Sequence, residues 1–138
     1  MNMKRLLLAI VIGFIVIFGT DILIHGIWLK PDYEATKAIW RPEAEMQARM
    51  IWFTLAQVFT AVTFVLVWAM GFAGRSIGWG IGFGLLLGLF QQIWVFVNYA
   101  IIPMPGDLAV KWYFSGLVQA VLLGIATALV YKPRTSAA

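Results

Sequence analysis

Two ionisable residues, Asp21 and His25, interrupt an otherwise apolar stretch of this chain. They lie four residues apart, so on an α-helix they share a face and come within hydrogen-bonding reach. An Asp–His pair can relay a proton, orient an imidazole for acid–base work, or supply two metal ligands. Groups of this kind are costly inside a membrane, so they face a partner or a water-filled space. Other apolar stretches carry Gln57, Gln91, Gln92, Asn98 and Gln119. These amides offer a structural alternative. Asp21 can accept hydrogen bonds from glutamines of neighbouring helices, as polar glue worth about 0.6 kcal/mol per bond. Both readings stand at this point.

The elements that must position these groups follow from composition. Of 138 residues, 62% are hydrophobic and 12% charged. A soluble domain runs near half apolar and a quarter charged, so an aqueous enzyme is a poor reading. Four apolar stretches approach or exceed the ~20 residues that cross a bilayer. They are expected at about 6–29, 50–72, 76–102 and 111–131. The expected fold class is therefore all-α: a single domain, 1–138, forming a four-helix transmembrane bundle. The basic start and apolar core of the first span also suit a signal peptide. That run passes Asp21 and continues to Leu29, however, so an uncleaved helix is expected.

Most of the charge lies in the loop 30–49. Within it, Asp32 to Trp40 can form two turns of interfacial helix, with Tyr33, Thr36, Lys37 and Trp40 on one face. Pro42 restarts the chain, and Glu43 and Glu45 suit a helix N-terminus. One continuous helix is expected from Pro42 to Phe72, with Glu45 and Arg49 as an i,i+4 pair. The loop charges balance one another, as a solvated face or a docking surface. Trp28, Trp40, Trp52 and Trp112 fit an aromatic belt on the loop side, and Trp79 marks the opposite belt. Trp68 and Trp94 lie deeper, where a tryptophan either lines a cavity or packs, and packing is the expectation.

Because the spans alternate in direction, Asp21, His25 and the five amides all fall in the half of the membrane next to the loop. By rise per residue, most lie ~6–16 Å below that surface. The pattern suits a cavity open to one side and argues against a continuous channel. Four spans put both termini on one side. That side carries Lys4, Arg5, Arg75, Lys132 and Arg134, and the other carries Lys30, Lys37, Arg41, Arg49 and Lys111. The counts are equal. The terminal set is denser, because its segments are shorter, which favours cytoplasmic termini.

Small residues recur at helical spacing in the last two spans. Gly80, Gly84, Gly88, Gln91, Val95 and Asn98 form one stripe, and Gly74, Gly78 and Gly82 a second. Gly116, Ala120, Gly124 and Ala128 recur every four residues. Such ladders let helix backbones approach closely in lipid. They leave open whether the partner helix belongs to the same chain or to a second copy.

Several chemistries lose support. With one histidine and no cysteine, a zinc site lacks its three or four ligands, and no metal or other cofactor is expected. No lysine lies inside a span to attach retinal. Ser76 and Ser115 have no nucleophile motif around them. The run GWGIGFG at 78–84 lacks the Lys-Ser/Thr end of a phosphate loop. The net charge of +4 is explained by membrane anchoring at span ends, and no basic run interleaved with aromatics points to nucleic acid.

The runs from Asp21 to Gly26, from Tyr33 to Thr36 and from Trp40 to Glu43, with Gly84 to Gly88, Pro103-Met-Pro105 and Trp112, extend over nearly the whole chain. Taken together they resemble small four-helix integral membrane proteins of bacteria that have no characterised activity. That resemblance implies an inner-membrane location and carries no catalytic residue. Two functional expectations follow. The first is a structural or accessory subunit, self-associating or joined to a larger membrane complex. The second is a small-molecule, proton or lipid binding or transport component centred on Asp21 and His25. A membrane-embedded enzyme ranks third, because no residue pattern nominates a substrate.

Overall fold

The computed structural model describes residues 1–133. The tail 134–138, which includes Arg134 of the basic terminal set, lies outside the described residues. The described chain is helical, with no strand among the described residues. In order, the elements are α1 (Met3–Asp21), a π-helical segment (Ile22–Trp28), α2 (Lys30–Ala35), a 3-10 turn (Lys37–Ile39), α3 (Glu43–Ala48), α4 (Met50–Gly71), α5 (Ile77–Ile101) and α6 (Gly106–Val130). Four helical runs are long and apolar enough to cross a membrane: Met3–Trp28, Met50–Gly71, Ile77–Ile101 and Gly106–Val130. The fold is thus an all-α four-helix bundle with the composition of a multi-pass membrane protein.

Prolines and one glycine punctuate it. Pro31 opens α2, Pro42 precedes α3 and Pro105 precedes α6. Asp107 in the first turn of α6 suits the positive end of that helix. Between α4 and α5, Gly74 takes a φ of +83°, which only glycine adopts without strain. Gly74 therefore forms the turn and is not a rung of a packing ladder.

The closest approach in the bundle is that of α5 to α6. A Cβ added at Gly80 would lie 2.6 Å from the Gly124 carbonyl oxygen and 2.8 Å from Ala128 Cβ. One at Gly84 would strike the Ala120 carbonyl, and one at Gly88 would lie 2.9 Å from Ala120 Cβ. The two ladders thus face each other within one chain. In lipid no hydrophobic drive joins helices, and this close backbone contact gains the dispersion energy that does. By contrast, a Cβ at Gly82 meets nothing within 4 Å, and one at Gly78 meets only Ser76 Oγ at 3.7 Å.

Helix α1 lies between α4 and α6, and α6 lies between α1 and α5. The row closes near the Gly74 turn through aromatic side chains. Phe83 of α5 packs against Phe64 and Trp68 of α4 and against Phe72, which caps it, with ring centroids 4.8, 5.4 and 5.0 Å apart. Trp68 is fully buried there, as expected, whereas Trp94 is 67% exposed on the outside of the bundle. A second core, at the loop end, gathers Leu29, Val95, Met104 and Leu108 beneath Tyr33 and Trp40.

Four expectations need correction. First, the helix expected from Pro42 to Phe72 breaks at Arg49. The Arg49 N–H bonds the Met46 carbonyl and the Trp52 N–H bonds the Arg49 carbonyl, so a tightened turn replaces the i→i+4 ladder. The Glu45–Arg49 pair is lost with it, and Glu45 instead meets Arg41 at 3.5 Å. Second, the fourth span starts at Gly106, not 111: Pro105 precedes it, and its first turns bury Leu108 and Ala109 ahead of Lys111. Third, the first span is not α-helical throughout. From Ile22 it widens to π geometry, and the Leu29 N–H reaches back five residues to the Ile24 carbonyl. Fourth, the stripe on α5 shifts by one residue at its polar end: Gln92, not Gln91, follows Gly88 toward α6.

Candidate functional site

Asp21 ends α1, and both its carboxyl oxygens are engaged. Gln57 Nε2 of α4 donates to Oδ2 at 2.5 Å, and Gln119 Nε2 of α6 donates to Oδ1 at 2.7 Å. The same Gln119 nitrogen also lies 2.7 Å from Thr20 Oγ1 and 3.2 Å from the Ile17 carbonyl. One carboxyl group thereby joins three helices. Thr20 donates its hydroxyl back to the Val16 carbonyl at 2.7 Å, where the helix is about to widen. Single π turns in longer helices often mark functional sites.

The π segment carries His25 away from Asp21. No hydrogen bond joins them, although a regular α-helix would bring them together. His25 Nδ1 instead lies 2.6 Å from the Tyr33 hydroxyl, and Trp112 Nε1 donates to that same oxygen at 2.8 Å. An indole N–H can only donate. Tyr33 oxygen therefore accepts from Trp112, and it can either donate its own O–H to His25 Nδ1 or accept a second bond from Nδ1–H. His25 Nε2 makes no hydrogen bond among the described residues, so it is free to donate or accept according to the tautomer.

The segment bearing Tyr33 acts as a strap across the loop end. Lys111 Nζ of α6 donates to Asp32 Oδ1 at 2.6 Å. Trp40 Nε1 donates to Thr36 Oγ1 at 2.9 Å, and its ring stacks on Trp112 with centroids 5.8 Å apart. The expected face of Tyr33, Thr36 and Trp40 is thus turned onto α6, while Lys37 is exposed. Burial pushes the Tyr33 phenol up to about 12, against the opposing pull of the Trp112 hydrogen bond, with Asp32 and Asp21 adding to the rise. The folded chain therefore holds this proton more tightly than the unfolded chain, whose tyrosines titrate near 10. The part of strap stability linked to this proton is fully present below about pH 10 and is lost as the pH rises toward about 12. In tyrosinate absorbance titrations, the component missing from Tyr33→Phe should appear only above about pH 11. A component at the ordinary value would show that Tyr33 is not docked.

Beneath the strap lies a half-open recess of about 130 Å³. Its walls include His25 from the π segment, Gln92 from α5, and Trp112, Ser115 and Gln119 from α6. Gly116 also lines it, and a Cβ there would collide with the Gln92 amide. Gly116 therefore makes room for a polar side chain, whereas Gly80, Gly84 and Gly124 make room for backbone. The Gln92 side chain makes no hydrogen bond among the described residues, so its amide is free to donate and accept.

Of the seven residues expected from sequence, the structure brings His25, Gln92 and Gln119 to the recess and joins Asp21 and Gln57 to it through Gln119. Gln91 and Asn98 do not line it. Adjacent residues on a helix point about 100° apart, so Gln91 and Gln92 cannot both face α6. Gln91 is exposed on the outside of the bundle, and Asn98 lies beyond Val95, half-buried. From sequence, Tyr33 and Trp112 are interface aromatics only; in the structure Tyr33 is the hydrogen-bond partner of the histidine, and Trp112 bonds Tyr33 and sets its ring edge-on to the imidazole at 6.2 Å. The one signal for Tyr33 was its shared face with Thr36 and Trp40. Among the described residues, no group of three or more His, Asp or Glu side chains could hold a metal ion. Comparison with family models, curated proteins and solved structures gave no match to this chain.

Proposed function

We propose that this chain binds a small polar solute or a proton within the loop-side half of the membrane, as a binding or transport component. The observation that carries this reading is the recess itself. Three spans direct His25, Gln92 and Gln119 toward one half-open volume of about 130 Å³. That is roughly the volume of four water molecules, so a solute there has only a handful of heavy atoms. Gln92 offers an amide donor and acceptor, and His25 offers Nε2. Asp21 fixes Gln119 and so holds one wall in place. The strap and its Asp32–Lys111 ion pair cover the loop end. The reading takes the membrane to be a bacterial inner membrane with cytoplasmic termini, on the resemblance and the density of basic residues given above.

The alternative of a self-associating or accessory subunit draws on the small-residue ladders and on the charge-balanced loop. Gly80, Gly84 and Gly88 pair with the ladder of α6 inside the chain, which withdraws their support, while Gly78 and Gly82 stay uncovered. Native mass spectra of the protein released from mild detergent test the choice. Wild type should retain a small bound species that Gln92→Leu loses, with both proteins equally folded. Identical spectra from the two, with nothing bound, would overturn the binding reading and favour the accessory one.

A further inference from the structure

The opposite end of the bundle has a groove that the recess does not explain. It has a volume of about 540 Å³ and is lined by Phe72, Ser76, Gly78, Trp79, Gly82 and Leu86. Its floor is open because Gly78 and Gly82 present no side chain and have no helix packed over them. Its walls are apolar and its rim is cationic. The Arg75 guanidinium sits 5.0 Å from the centre of the Trp79 ring, a cation–π contact that holds it at the groove mouth. The Ser76 hydroxyl makes no capping bond to α5 and stands at the same rim. Gly74 lies against Pro133, which brings Lys132 to this end as well. Lys4 and Arg5 begin α1 there. Among residues 1–5, 72–76 and 131–133 there are four basic side chains and no acidic one.

From this arrangement we infer a specific site for one anionic phospholipid, its acyl chain over Gly78 and Gly82 and its phosphate at Arg75 and Ser76. A bare apolar groove takes any hydrocarbon, but this one opens beneath a fixed guanidinium in a zone of uncompensated positive charge. Trp79, half-exposed at 51%, has the amphipathic ring suited to headgroup depth. A basic side chain at an anionic headgroup strengthens binding roughly fivefold, and Arg75 is the one fixed at the groove mouth. The site is separate from the solute recess and stands or falls independently of it.

The test is a native mass spectrometric titration of the full chain in detergent. The probes are dioleoyl phosphatidylglycerol and dioleoyl phosphatidylcholine, which share acyl chains and differ in headgroup. Wild type should take up one phosphatidylglycerol about fivefold more tightly than phosphatidylcholine. Arg75→Gln should abolish that preference. Gly82→Leu should remove the saturable first site for both lipids without loss of folding, because nothing lies within 4 Å of the added carbon. Equal affinities in wild type, or a preference that survives Arg75→Gln, would overturn the inference. So would a dimer dispersed by Gly82→Leu, which would assign the groove to a second copy of the chain.

Discussion

Gly84→Leu is expected to destabilise this protein by about 3 kcal/mol or more, at the upper end of the cost of overpacking a close contact. The position has no slack. A single added carbon would strike the Ala120 carbonyl and lie 2.9 Å from Val121 Cα. Backbone cannot rotate away as a flexible side chain can, so α5 and α6 must separate. Their separation forfeits the dispersion contact that holds helices together in lipid. Thermal unfolding of the purified protein in detergent, followed by circular dichroism, would read the loss directly. Gly82→Leu, two residues away on the same helix, should melt like wild type. Equal melting of both variants with wild type would show that α5 and α6 do not pack as described.

The second large effect is expected at Asp21. Asp21→Ala removes the acceptor of two hydrogen bonds and leaves the Gln57 and Gln119 amides without it. Hydrogen bonds between membrane helices average about 0.6 kcal/mol and reach about 1.7. Two together give an expected loss of about 1–3 kcal/mol. A double-mutant cycle with Gln57→Ala would isolate one bond, with a coupling of about 0.6–1.7 kcal/mol. Gln119 is less suitable for the cycle, because it also holds Thr20 and Ile17. A coupling near zero would mean that the carboxyl group does not join α1 to α4.

The four spans were legible in the sequence because length and apolarity are enough to define them. What failed were the features decided by tertiary contact. Glu43 to Trp52 contains no proline or glycine, so nothing in its composition foretells a break at Arg49. The same limit applies to Gln91 and Gln92. A spacing of three or four fits either to the glycine stripe, and only the seat left by Gly116 selects Gln92. The depth of the polar residues was readable from rise per residue alone. Their partners were not: the Asp32–Lys111 pair and the Tyr33–Trp112 bond each join residues 79 apart in the chain. No local pattern encodes such pairings.

The widened stretch Ile22–Trp28 has a consequence for how this protein tolerates genetic change. A π turn accommodates one residue more than an α turn, so the first span behaves as an α-helix with an insertion. Upstream of it, Asp21 is in phase with α4 and α6. Downstream, His25 and Leu29 are in phase with the strap. A substitution in this stretch changes the group that stands at one post. Loss of a single codon would instead turn every later post by about 100°. The stretch should therefore be far less forgiving of deletion than of replacement, and the phase between its two halves is a trait of its own, separate from the identity of any residue in it.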